Sequence, residues 1–282
     1  MRTLIDPPLG KVACRLDQVL SSTRAQERAA LAAYLPVGFP TFSQSVEALH
    51  AISAHADILE LGVPFSDPML DGPIIQHATA QSLAGGFRMR HLFEAIRQLS
   101  AASTAALLVM TYWQPVARYH PDRFADYLAL AGAAGVILPD LLVEEAAGWL
   151  AAARARGLHT VFVVTPSSSD ARLARVCAAS SGMVYAPAVA GVTGAQGPLA
   201  TGLPAFVDRL RTVTTVPVGV GIGVSTREQA ALVSAYADAV IVGSALIQRI
   251  QTARGPSGVK AAVSLAQELA DGVRRSKRTA EA

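Results

Sequence analysis

Short runs of Val, Ile, Leu and Ala, separated by longer segments with helical periodicity, constrain this chain more than any other feature. The runs span 31–37, 57–63, 105–112, 135–140, 160–165, 183–189, 217–221 and 239–243. Most lack in–out alternation, as strands buried on both faces do, and that pattern marks a parallel sheet. Between and after them, 43–55, 91–99, 123–133, 143–156, 170–179, 203–212, 226–237 and 259–274 carry apolar residues at helical spacing. Ser43 with Glu47, and Ser225-Thr226 with Glu228, read as helix starts. Gly157 and Gly182 read as helix ends.

A strand-then-helix unit repeated about eight times predicts an α/β fold that closes into a (β/α)8 TIM barrel. The 282 residues suit one such barrel as a single domain. An open doubly wound sheet is the alternative, but it usually carries an early G-x-G-x-x-G after its first strand, and none stands here. Residues 1–25 are expected to form an N-terminal extension with a short helix around Cys14–Ser21 that covers the barrel, and 26–282 the barrel itself.

Several function classes are disfavoured by charge and spacing. The formal net charge is only +3, with basic residues scattered apart from a tail at 274–278, so no nucleic-acid footprint is present. No apolar run is long and unbroken enough to span a bilayer, and the N-terminus lacks the apolar stretch of a signal peptide. Cys14 and Cys177 have no paired spacing and fit a reducing cytoplasm. The six histidines form no H-x-x-x-H pair, so no metal site is expected.

The chemistry is concentrated in LELGVPFSDPMLDGP, residues 59–73. Glu60 is expected at the end of an apolar strand, where an acid rarely sits without a partner or a purpose. A stiff Gly/Pro loop then returns Asp67 and Asp71. Carboxylates held this way suit acid–base work, and burial would raise the pKa of Glu60 toward neutrality. The other reading of the loop acids is that they cap the following helix. Late in the chain, glycine turns recur at 191–194, 219–225 and Gly243-Ser244-Ala245, where barrels bind phosphate after the seventh and eighth strands. Gly223, Gly243 and Ser244 are the expected binders, and Gly219 is expected to serve packing inside the barrel.

The 59–73 motif, with the later glycine segments in order, resembles the tryptophan synthase alpha subunit family over roughly residues 29 to 270. The resemblance implies cleavage of indole-3-glycerol phosphate to indole and glyceraldehyde 3-phosphate, a carbon–carbon lyase reaction of tryptophan biosynthesis. It assigns proton transfer at indole C3 and at the C3′ hydroxyl to Glu60, and stabilisation of the indole N–H to Asp71. It places Tyr185 beside the catalytic glutamate, although a buried aromatic with a satisfied hydroxyl reads equally well. It gives the phosphate to Gly194, Gly223, Gly243 and Ser244, and loop closure or the partner interface to Asp67, Asp140 and Thr193. No cofactor is implied, since pyridoxal phosphate belongs to the beta subunit. Indole would pass to that subunit in an alpha2beta2 heterotetramer located in the cytoplasm.

Departures from the family pattern stand at Phe39, Gln114, Leu142, Ala188, Ala190 and Ile222, and are expected in the lid, the pocket wall and partner-facing loops. None removes a charged group that the proton transfers need. Two alternatives follow: a stand-alone lyase that releases free indole, and a non-catalytic activator of a beta subunit. A Schiff-base aldolase is nearly excluded, because the chain's lysines, Lys11, Lys260 and Lys277, all fall outside the strands.

Overall fold

The computed structural model describes residues 14–187, 202–221, 223–253 and 255–275. Eight strands run in parallel: β1 (Ala30–Pro36), β2 (Ile58–Gly62), β3 (Ala106–Met110), β4 (Gly135–Leu138), β5 (His159–Phe162), β6 (Val184–Pro187), β7 (Val218–Gly221) and β8 (Ala239–Val242). Their hydrogen-bonded order is β5-β4-β3-β2-β1-β8-β7-β6. The ring closes between the outer two. Val163 pairs with Tyr185, Val164 N–H donates to Tyr185 O at 2.9 Å, and Ser181 N–H donates to Thr160 O at 2.8 Å. This is the expected (β/α)8 barrel.

Twelve helices are formed by the described residues. They are α1 (Arg15–Ala25), α2 (Phe42–Ile52), α3 (Pro73–Ala84), α4 (Met89–Ala102), α5 (Trp113–Tyr119), α6 (Pro121–Ala131), α7 (Ala147–Ala155), α8 (Asp170–Ala179), α9 (Leu203–Arg211), α10 (Arg227–Ser234), α11 (Ser244–Ala253) and α12 (Gly255–Arg275). Three of them, α3, α5 and α11, were not expected from periodicity. In α3 the apolar residues are spread around the helix, so no single stripe stands out. The segment of α5 is only about two turns long and contains Pro115. The Leu246, Ile247 and Ile250 stripe of α11 follows a glycine turn that reads first as a binding loop.

Local chemistry accounts for several boundaries. Thr41, rather than Ser43, caps α2, accepting Gln44 N–H on its hydroxyl, and Thr226 caps α10 by accepting Gln229 N–H. Gly157 follows the end of α7 in the left-handed region, at φ +67°. The start of α7 falls at Ala147 rather than Val143.

The core has two shells. Outward-facing strand residues such as Leu31, Leu35, Leu59, Leu61, Val136 and Val240 pack under the helices. Phe39 is fully buried in this outer shell, so its departure from the family pattern is a packing change and not a lid change. Inside the ring lie mainly Ala30, Ala32, Ile58, Ala106, Leu108, Ile137, Val161, Met183, Ala239 and Ile241, closed from below by Leu16 and Leu20 of α1. That helix is tied down by His159 Nε2 to Asp17 Oδ2 at 3.1 Å and by Arg15 donating to Ser103 O at 2.9 Å. The lower part of the ring is thus filled with small and branched side chains.

Candidate active site

In-and-out alternation along β1 and β2 sets the first half of the site. Ala30, Ala32 and Tyr34 face inward on β1, and Ile58 and Glu60 on β2, with Tyr34 opposite Glu60 in the ladder. The strand continues two residues past Glu60 to Gly62, so the acid sits in mid-strand and not at its end. Glu60 is 1% exposed, and neither carboxylate oxygen has a hydrogen-bond partner among the described residues. Burial without compensation penalises the charged form and pushes its pKa up to about 8.

Glycines make room for two inward tyrosines. A Cβ on Gly62 would fall 2.7 Å from Tyr34 Cζ, and one on Gly221 would fall 2.6 Å from Tyr185 Cζ. Only residues without a side chain permit rings to lean this far over the neighbouring strands. Gly219 serves packing, as expected: a Cβ there would lie 3.1 Å from Met183 Sδ and from Ile241 Cδ1. Both tyrosine hydroxyls are held well above their usual range, first by burial and then by the two carboxylates, Glu60 and Asp71.

Glu60, Tyr34 and Tyr185 share one cavity, open to solvent, with Ile75, Met110, Val224, Ile241, Gly223, Gly243 and Ser244. The structure therefore brings the acid and the late glycine turns together. Gly223 has φ +89°, a conformation that favours glycine. Ser244 begins α11, whose first N–H groups have no carbonyl partner within the helix and are therefore available to an anion.

Asp71, on the loop before α3, does not line this cavity but lies near enough to act on the hydroxyls of Tyr34 and Tyr185. That helix has Gly72 at its N-cap, and Asp71 does not take the capping role. Its carboxylate accepts the Tyr112 hydroxyl at 3.2 Å, and that hydroxyl in turn accepts Leu70 N–H at 2.9 Å. Burial raises the Asp71 pKa to about 6, with the Tyr112 hydrogen bond pulling the other way. Asp67 is exposed and accepts the Ser66 hydroxyl at 2.5 Å. Asp140 accepts Trp113 N–H on both oxygens, at 2.8 and 3.0 Å, tying the loop after β4 to the start of α5. Exposed Met69, Leu70 and Leu142 lie on these tied loops.

Thr193 and Gly194 lie outside the described residues, as do Ala188, Ala190 and Ile222. Two described site residues were not singled out from sequence. Tyr34 could have been found by following the alternation Ala30, Ala32, Tyr34 into the ring. Tyr112 carries no such signal, because its partner is 41 positions away. Among the described residues, no three His, Cys, Asp or Glu side chains gather as metal ligands would, and no helix is long and apolar enough to cross a membrane.

Comparison with known proteins adds independent findings. The family model described as tryptophan synthase alpha chain matches residues 20–274. The tryptophan synthase alpha chain of Mycobacterium ulcerans is 48% identical over 266 residues, 94% of this chain and 97% of that one. The Streptomyces coelicolor alpha chain is 48% identical, covering 92% of this chain and 96% of its own length. A Mycobacterium tuberculosis tryptophan synthase structure superposes with a TM-score of 0.86 at 47% identity, over 93% of this chain and 99% of that one. An alpha chain structure from Legionella pneumophila gives 0.84 at 30% identity, over 93% and 98%.

Proposed function

The chain belongs to the tryptophan synthase alpha chain family, whose lyase reaction is the cleavage of indole-3-glycerol phosphate, and we propose that Glu60 and Asp71 carry this chemistry here. One observation supports the reading above the rest: a buried carboxyl group, without a hydrogen-bond partner among the described residues, in the same cavity as the glycine turns of β7 and β8.

The two acids have their proton affinities pushed apart. Between about pH 6 and 8, Asp71 is ionised while Glu60 holds a proton. Glu60 gives that proton to indole C3, forming the indolenine tautomer. Asp71, as a carboxylate, accepts the indole N–H and stabilises the positive charge that develops on the ring. Glu60, now ionised, takes the proton of the C3′ hydroxyl. The C3–C3′ bond breaks, its electron pair restores the aromatic ring, and the hydroxyl carbon becomes the aldehyde of glyceraldehyde 3-phosphate. Glu60 ends the cycle protonated, as it began.

Gly223, Gly243 and Ser244 hold the phosphate through backbone N–H groups and the start of α11, and Tyr34, Tyr185, Ile75 and Met110 form walls for the indole. A phosphate role for Gly194 and a loop-closing role for Thr193 rest on the sequence resemblance. No step draws on a cofactor of this chain. The partner is a beta subunit in an alpha2beta2 complex, docked on the Asp67 and Asp140 loops through exposed Met69, Leu70 and Leu142. Both cysteines are free, in keeping with a cytoplasmic setting.

The test is incubation of purified protein with indole-3-glycerol phosphate, reading glyceraldehyde 3-phosphate with and without a beta subunit. Cleavage that a beta subunit stimulates is the expected result. Unstimulated cleavage would instead mark a stand-alone lyase, and no cleavage under either condition would overturn the reading.

A further inference from the structure

Asp71 works, on the reading above, only if its carboxylate is aimed at the indole nitrogen and ionised when substrate arrives. Its loop contains Gly72 and two prolines and is not part of any strand, so something else must hold it. Tyr112 does so from two directions. Its hydroxyl oxygen accepts Leu70 N–H at 2.9 Å, which directs the hydroxyl's single hydrogen to Asp71 Oδ2 at 3.2 Å. Its ring stacks on Phe65 of the same loop, with centroids 5.2 Å apart. One buried phenol therefore grips a backbone N–H, a carboxylate and an aromatic ring, all within residues 65–71.

Tyr112 is itself fixed from the next strand. It is the N-cap residue of α5 and has no side-chain capping bond there. The N–H of Trp113, the following residue, is taken instead by both oxygens of Asp140, two residues past the end of β4. A chain of contacts runs from β4 through Asp140 and Trp113 to Tyr112, and so to Asp71.

We propose that Tyr112 is a positioning residue for Asp71, and that Asp140 acts on the same acid at one remove by anchoring the backbone beside Tyr112. The proposal rests on the catalytic reading of Asp71, but its first consequence is independent of turnover. The groups facing this pair from neighbouring elements are Tyr34 of β1, Glu60 of β2 and Tyr185 of β6, all neutral near pH 7, with Asp140 facing Tyr112 from the β4 side. Tyr112 is thus the neutral donor that favours the Asp71 anion.

The experiment is a carbon-13 titration of the Asp71 carboxyl, in full-length wild type and in Tyr112→Phe, followed by the pH profile of cleavage. In Tyr112→Phe the Asp71 midpoint should rise above its wild-type value of about 6. The acid limb of kcat/KM should move with it, and kcat should fall roughly 10-fold or more, as for a lost hydrogen bond to a charged group. The KM should change less than kcat, since the phenol acts through the Asp71 carboxylate. Asp140→Ala, which leaves the phenol in place, should shift the midpoint in the same direction by less, and Asp140→Asn should restore most of it. An unchanged Asp71 midpoint in Tyr112→Phe overturns the proposal, as does an unchanged midpoint in Asp140→Ala should the phenylalanine variant not fold. A shifted midpoint in a protein that cleaves no substrate would leave the positioning intact and defeat the catalytic reading instead.

Discussion

The barrel buries acids at both ends, and treats them in opposite ways. At the floor, Asp238 is 6% exposed, yet its carboxylate accepts Val218 N–H at 2.9 Å and lies within 3.7 Å of both Arg24 and Arg211. Asp57 there is clamped by Arg28 through two bonds, at 2.7 and 2.8 Å, and also accepts Leu31 N–H. At the mouth, Glu60 is more deeply buried and has no partner among the described residues. A carboxylate that holds two strand ends together is satisfied by them. One left unsatisfied costs the fold free energy and gains a proton affinity suited to chemistry. The contrast sets Glu60 apart from the floor acids on geometry alone; Asp71, which accepts the Tyr112 hydroxyl, stands between the two.

The sharpest way to break that contrast is Glu60→Gln. Loss of the proton carrier should reduce cleavage by roughly 10²–10⁴-fold, measured as initial rate under saturating substrate. Activity within a factor of three of wild type would remove Glu60 from the mechanism.

A second test reads the same acid through stability. The folded-state value of Glu60, about 8, lies above its ordinary 4.5, so the fold holds a proton that the unfolded chain releases. Its contribution is therefore full below about pH 4.5 and is lost as pH rises toward 8. Asp71 adds a smaller loss of the same sign between its ordinary 3.8 and about 6. Denaturant melts from pH 5 to 9 should show wild type losing on the order of 4 kcal/mol relative to Glu60→Gln. Parallel curves for the two proteins would mean that the carboxyl is solvated.

The floor should respond the other way. Asp238→Ala strips Val218 N–H of its acceptor and should cost about 1–3 kcal/mol of stability, with kcat within a few-fold of wild type once folded. A variant as stable as wild type, or one that loses cleavage while fully folded, would blur the division between the two ends.

Some of this was legible from residues alone. The eight apolar runs and their spacing give a closed parallel ring, because strands covered on both faces must be apolar throughout. Glu60 stood out because an acid in such a run has no bland explanation. The run 57–63 already puts Glu60 in mid-strand, but the Gly/Pro loop beyond it draws the reading toward a strand end, whereas Gly62 continues the strand beside Tyr34. The helix α11 was hidden by the glycine turn before it, although its stripe of Leu246, Ile247 and Ile250 is regular. Phe39 stands among the departures expected in the lid, the pocket wall and partner-facing loops, and is core.

What the sequence determined by itself is what repeats at short range: strand and helix periods, the turn glycines, and the residue types present in the 59–73 motif. What only the tertiary structure decided is which of those residues meet. Tyr112 finds Asp71 across 41 positions, Asp140 finds Trp113 across 27, and Glu60 finds no hydrogen-bond partner among the described residues. The physical reason is that hydrogen-bond satisfaction and burial are set by closure of the ring. Closure brings together side chains whose separation along the chain carries no periodic signal.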